Sequence, residues 1–225
     1  MTPTRTRRQD LLLVFLLALV MLVADQAVKI AVKTHMTLYE SIRVFNWFHI
    51  YFTENNGMAF GMELVGKLAL TLGRLVAVGV LIWYVLKIAG KRFPKGYMVA
   101  MALVIAGALG NIFDSLFYGL IFSESTPYAV AQLVPFGQGY TTLFHGKVVD
   151  MLYFPLVHWY WPQWMPFVAG RQFVFFSPIF NVADSCITVG LFMVILFYGR
   201  CLNWGIKGPD GEASVQSKKT KKERL

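Results

Sequence analysis

Phe180-Asn181-Val182-Ala183-Asp184 stands at the entrance to a largely apolar run from Ile187 to Phe197. This stretch decides the fold, because it puts a polar pair where the chain is about to enter a segment of membrane-spanning character. On a helix, residues three apart share a face, so the Asn181 amide and the Asp184 carboxylate point the same way. An acid at the edge of such a segment is costly unless it has a partner or a task. The rest of the chain supplies candidates for both.

The 225 residues are 56% hydrophobic and only 15% charged, against about 25% charged in a soluble domain. With a mean hydropathy of +0.54, the chain falls among membrane proteins. A formal net charge of +9 raises the possibility of nucleic acid, but the basic residues gather at the two ends and in one short loop. That placement fits a membrane-surface asymmetry, so membrane lipids are expected as partners and nucleic acid is not. Cys186 and Cys201 flank the last apolar run, too far apart to pair along one helix, and no disulfide is expected.

Taken in order, the chain reads as four spans, at about 11–33, 67–86, 97–122 and 180–198, each near the 20 residues a bilayer requires. Arg5, Arg7 and Arg8 followed by the apolar Leu11–Ala24 could be a cleaved secretory signal. The apolar character resumes after Asp25-Gln26, through Ala27, Val28, Ile30 and Val32, which favours an uncleaved first span. Asp25 and Lys29 are four apart and can pair. Arg43 to Thr53 is rich in aromatic and β-branched residues, as in a strand, and Asn55-Asn56-Gly57 is turn chemistry. Thr71 and Arg74 interrupt the second span, while Gly107 and Gly110 would let the third pack closely within the bundle. Residues 123–178 form a long loop containing His158-Trp159-Tyr160-Trp161-Pro162-Gln163-Trp164, a composition suited to the headgroup layer.

The N-terminus, the 87–96 loop and the tail from Arg200 carry 3, 4 and 7 Lys or Arg, 14 of the 21 present. By the positive-inside rule these segments are cytoplasmic, and residues 34–66 and 123–179 lie outside. The expected fold is an all-α polytopic membrane protein, with four transmembrane helices, a small extracytoplasmic β element and a long extracytoplasmic loop. Residues 1–199 would form a single membrane domain, and 200–225 a disordered basic cytoplasmic tail.

On this map Asp114, Asp150 and Asp184 converge on the outer face, and Asn111 and Asn181 each precede an aspartate by three residues. Two neighbouring carboxylates resist double ionisation and share a proton. Such a pair can deprotonate a water as base and protonate a leaving amine as acid, with asparagine amides orienting the acids or donating to the oxyanion. His35, His49, His145 and His158 lack metal-ligand spacing and no His-Glu-x-x-His occurs, so no metal or cofactor is expected. There is no Gly-x-Ser-x-Gly and no glycine-rich phosphate loop, and Ser185 reads as a helix-packing residue. From spacing alone two other roles stay open. The acids could relay charge in a small proton- or ion-coupled transporter, or serve as helix caps and internal salt bridges. A transporter would be expected to show inverted repeats or helices interrupted near mid-membrane, whereas these acids fall at one surface.

Five motifs, in order, resemble those of lipoprotein signal peptidase (signal peptidase II), the aspartyl peptidase family of bacterial membranes. They are Ala24-Asp25-Gln26; Asn55-Asn56-Gly57-Met58-Ala59-Phe60; Gly107 to Asp114; Val148-Val149-Asp150; and Phe180 to Ser185. The resemblance implies that Asp150 and Asp184 are catalytic. It implies that Asp25, Asn55, Asn111 and Asn181 support the site or bind substrate, with Gly57 and Ala183 of the same motifs, and that Asp114 is mainly structural. It implies a bacterial inner-membrane enzyme without cofactor, acting as a monomer at the extracytoplasmic surface. Its substrates would be diacylglyceryl-modified prolipoproteins, cut before the lipidated cysteine, and its inhibitor globomycin. Two features depart from the family pattern. Ser115 stands where the family usually has arginine, leaving Arg171, Lys147 or Arg74 as substitutes. The intervals from Asp114 to Asp150 and from Asp150 to Asp184 are also longer than usual, the extra residues falling in the aromatic loop.

Overall fold

The structure, a computed structural model, describes residues 5–55 and 65–209. Its elements are α1 (Arg7–His35), β1 (Ser41–Phe45), β2 (Phe48–Asn55), α2 (Val65–Ile88) and α3 (Lys95–Phe113), then a π-helical turn (Asp114–Tyr118) and a short α4 (Gly119–Ile121). There follow β3 (Val148–Tyr153), β4 (Val157–Tyr160), β5 (Gln172–Phe175), β6 (Ile179–Phe180), α5 (Val182–Phe197) and α6 (Gly199–Trp204). Among the described residues three helices are long and apolar enough to cross a membrane: Arg7–His35, Gly66–Ile88 and Lys95–Ile121. A fourth exists if Val182–Phe197 and Gly199–Lys207, bent by 82°, make one span. Large apolar side chains on α1 and α2, among them Phe15, Val20, Val76 and Val80, are exposed, as lipid-facing side chains should be.

The chain divides into two compact units. The first takes the described parts of Met1–Asp25, Ala69–Ile112 and Ala183–Leu225. Its core is apolar, built from Val14, Val85, Ile88, Tyr97, Met98, Met101, Ile105 and Val194. Helices approach closely through glycine: a Cβ at Gly107 would lie 2.2 Å from the Ala183 carbonyl oxygen, so α3 meets the backbone at the start of α5 there. At the end of α2, Gly90 adopts φ +80°, the left-handed stop that glycine takes without penalty. Its N–H donates to Asp10 Oδ2 at 2.8 Å, and Asp10 Oδ1 accepts Arg5 Nε at 2.6 Å, pinning the start of α1 to that stop.

The second unit takes the described parts of Gln26–Leu68 and Phe113–Val182. It holds a four-stranded antiparallel sheet in the order β1-β2-β3-β6 and a separate β4–β5 hairpin. Its core is Val32, Met36, Phe52, Tyr118, Phe122, Val149 and Met151.

Three expectations change. The stretch from Arg43 to Thr53 is a hairpin, not one strand, because Phe45 pairs with Phe48 around Asn46-Trp47, and the Asn46 side chain accepts from Arg43 within that turn. The β element is larger than its local sequence suggests, since β3 and β6 come from the long second loop. The region from Arg200 begins with α6 and a 3-10 turn, Gly205–Lys207, before the described residues end at 209.

Candidate active site

Asp184 lies in the first turn of α5. Its Oδ1 accepts the side-chain amide of Asn111, on α3, at 2.7 Å. Asn111 is buried, and stranding a buried amide costs roughly 1–3 kcal/mol, so the bond holds both side chains. Asp25, on α1, caps α5 from outside: its Oδ1 accepts the Ala183 N–H at 2.8 Å. The first N–H groups of a helix lack partners within it and form the positive end of its dipole, which suits a carboxylate. Gly110 makes room, since a Cβ there would lie 2.6 Å from Asp25 Oδ2 and 3.1 Å from Ala183 Cβ. Asp25, Gly110, Asn111, Ala183 and Asp184 thus form one packed group inside the first unit.

Asp150, 3% exposed, is the third residue of β3. Its Oδ1 accepts the side-chain amide of Asn181, a fully buried residue, at 2.6 Å. Across the ladder Asp150 stands opposite Thr53, and Asn55 opposite Val148. Side chains alternate along a strand, so Thr53, Asn55, Val148 and Asp150 share one face, while Glu54, Val149 and Met151 take the other.

Asp114 opens the π-helical turn and braces β3 from its flank. Its Oδ2 pairs with Lys29 Nζ at 2.8 Å, both side chains fully buried, and also accepts the Val149 N–H at 3.3 Å. Its Oδ1 accepts Gln26 Nε2 at 2.9 Å, and the Tyr118 hydroxyl donates to Gln26 Oε1 at 3.0 Å. A single π turn inserted in a helix re-aims side chains and is frequent at functional sites. Here Asn111 reaches Asp184, while Asp114 reaches Lys29 and the β3 backbone. From α1, Lys29 reaches Asp114 and Asp25 reaches the start of α5.

Sequence reasoning missed a second buried charge group. Lys33 Nζ donates to Glu54 Oε1 at 2.5 Å and to Ser125 Oγ at 2.8 Å, and Ser125 Oγ donates to the same Glu54 oxygen at 2.8 Å. Lys147 Nζ lies 3.4 Å from Glu54 Oε2 and 3.4 Å from Glu124 Oε1, so this candidate for the missing arginine serves the glutamates. The Lys147 N–H donates to the Tyr140 hydroxyl at 2.6 Å. Burial pushes the Tyr140 phenol well above its ordinary value, so it accepts that bond as a neutral hydroxyl. A signal was available: Gln26, Lys29 and Lys33 recur at helical spacing in an apolar segment, and buried cations there demand partners.

Ser115, buried, accepts the Gly146 N–H through its carbonyl at 2.9 Å. Gly57 lies outside the described residues. Among the described residues, no three His, Cys, Asp or Glu side chains gather as a metal site.

Residues 17–199 match the family model described as signal peptidase (SPase) II. The lipoprotein signal peptidase of Porphyromonas gingivalis is 48% identical over 212 residues, covering 92% of this chain and 93% of the relative. That of Amoebophilus asiaticus is 33% identical over 187 residues, covering 80% of this chain and 75% of the relative. A solved structure described as a bacterial membrane enzyme, determined in meso at 1.9 Å resolution, has a TM-score of 0.55 at 24% identity, covering 81% of this chain and 90% of that one.

Proposed function

This chain belongs to the signal peptidase II family of aspartic peptidases, and on that premise we propose that it removes the signal peptide of diacylglyceryl-modified prolipoproteins, cutting directly before the lipidated cysteine. Asp150 and Asp184 form its catalytic pair. The observation that carries this reading is the matched holding of the two acids: each gives one oxygen to an asparagine amide, at 2.6 Å from Asn181 and 2.7 Å from Asn111. That fixes the orientation of each carboxylate, as acid–base catalysis requires.

In the proposed reaction one carboxylate takes a proton from water, whose oxygen attacks the scissile carbonyl carbon. The protonated partner gives its proton to the leaving nitrogen as the carbon–nitrogen bond breaks, and the first proton remains on the pair to restore it. Asp25 and Ala183 support Asp184; Asn55, Gly57 and Asp114 support Asp150 or engage the substrate. The chain acts as a monomer of one membrane domain, 1–199, in the bacterial inner membrane, with both termini cytoplasmic and the site outside. The charge distribution supports that orientation, with 14 of 21 Lys and Arg in the three cytoplasmic segments. The diacylglyceryl group would keep the scissile bond at the outer surface, and globomycin would occupy the same site.

The test compares a diacylglyceryl-modified precursor with its unlipidated copy, each incubated with purified protein with and without globomycin. The expected result is cleavage of the lipidated copy alone, blocked by globomycin. Equal cleavage of both copies would overturn the substrate class.

A further inference from the structure

On the peptidase reading above, we propose that Glu54 and Lys33 are positioning residues: their buried ion pair locks the β2–β3 register that presents Asn55 and Asp150 together. The sheet face opposite Asp150 is apolar, with Phe52, Val149 and Met151 each at most 1% exposed. Glu54 pairs with Val149 across the ladder and stands on that face, its side chain only 3% exposed. An apolar residue there would serve stability as well or better, since a buried ion pair is a weak stabiliser; its best attested use is to fix register.

Register needs such a device here. The β2–β3 ladder is irregular between Ile50 and Thr53, so regular pairing upstream does not carry through to the site. β6 pairs with β3 only at Leu152 and Tyr153, beyond Asp150. A one-residue slip would send Asn55 to the apolar face and part it from Asp150. The same slip would pull Glu54 from Lys33, a side chain with no exposure at all, stranding a buried cation. Lys33 comes from α1 and Ser125 from the chain after α4, so the lock ties β2 to two other segments at once. The rings of Phe122 and Tyr140 flank Lys33 Nζ at 5.4 and 5.1 Å, completing its cage.

The experiment uses the full chain in detergent micelles with a diacylglyceryl-modified precursor. It measures kcat, KM and melting temperature for wild type, Glu54→Gln, Lys33→Met, Lys33→Arg and the apolar pair Lys33→Met/Glu54→Leu. A misplacement of about 1 Å far from the chemistry can cost about 100-fold. The single removals should therefore lose about that in kcat, with KM little changed, and Lys33→Arg should recover most of it. The decisive variant is the apolar pair, expected to melt at or above the wild-type temperature yet keep the low kcat. A stable apolar pair with wild-type kcat overturns the inference, because the charges would then be replaceable packing. An apolar pair that does not fold overturns it as well, making the ion pair a folding requirement. Absence of cleavage by wild type would instead overturn the peptidase reading, and this inference with it.

Discussion

Asp184 rests on helices and Asp150 on a sheet, and the surroundings differ accordingly. In the first unit the core is apolar, and Asp184 is placed by close helix approach at Gly107, by Asn111, and by the Asp25 cap on α5. In the second unit Asp150 is placed by strand pairing, and buried ion pairs brace the strands: Lys29–Asp114 on the flank of β3 and Lys33–Glu54 behind β2. Helix packing tolerates few added atoms but asks little of charge. A short sheet with an irregular ladder leaves register open, and charge settles it. The two halves should therefore fail in different ways when perturbed.

The largest effect should strike both halves alike. Asp150→Asn and Asp184→Asn should each lower kcat/KM by at least about 1,000-fold, within the range of lost acid–base catalysis. Their melting temperatures should stay near wild type, since each new amide can still accept through oxygen from its asparagine. Next comes a blow to the charged half. Lys29→Met leaves Asp114 buried without its cation and should destabilise by about 3–5 kcal/mol, read by thermal melting. The pair Lys29→Met/Asp114→Asn should recover part of that loss, since the new amide is neutral and its oxygen can still accept one of the bonds from Gln26 and Val149. The packed half should be sensitive to volume instead. Gly107→Ala drives a methyl against the Ala183 carbonyl and should cost about 1–3 kcal/mol, with lower kcat because α5 carries Asp184. Smallest of all, Gly73→Ala in α2 meets nothing within 4 Å and should be neutral, or stabilise by up to about 1 kcal/mol through helix propensity.

Much of the helical half was legible in the sequence, because hydropathy and glycine spacing are local signals. The first three spans, the place of Asp184 at the start of the last apolar run and the small residues near Asn111 could all be read within one segment. The sheet half was not. β3 finds its partner β2 roughly a hundred residues earlier in the chain, and nothing in Val148–Tyr153 names that partner. Arg43 to Thr53 has strand composition throughout, so the turn at Asn46-Trp47 was hidden within it. Lys29 and Lys33 announce a need for acids, yet that Asp114 and Glu54 answer it is tertiary. The π turn that begins at Asp114 has no composition of its own.

The central claim is that Asp150 and Asp184 together activate the water that cuts the precursor. The most direct measurement is the intact mass of both products from a diacylglyceryl-modified precursor, made with wild type and with folded Asp150→Asn and Asp184→Asn. Wild type should give a break immediately before the lipidated cysteine, and neither variant should give products above background. Wild-type yield at that site from either folded variant would contradict the account.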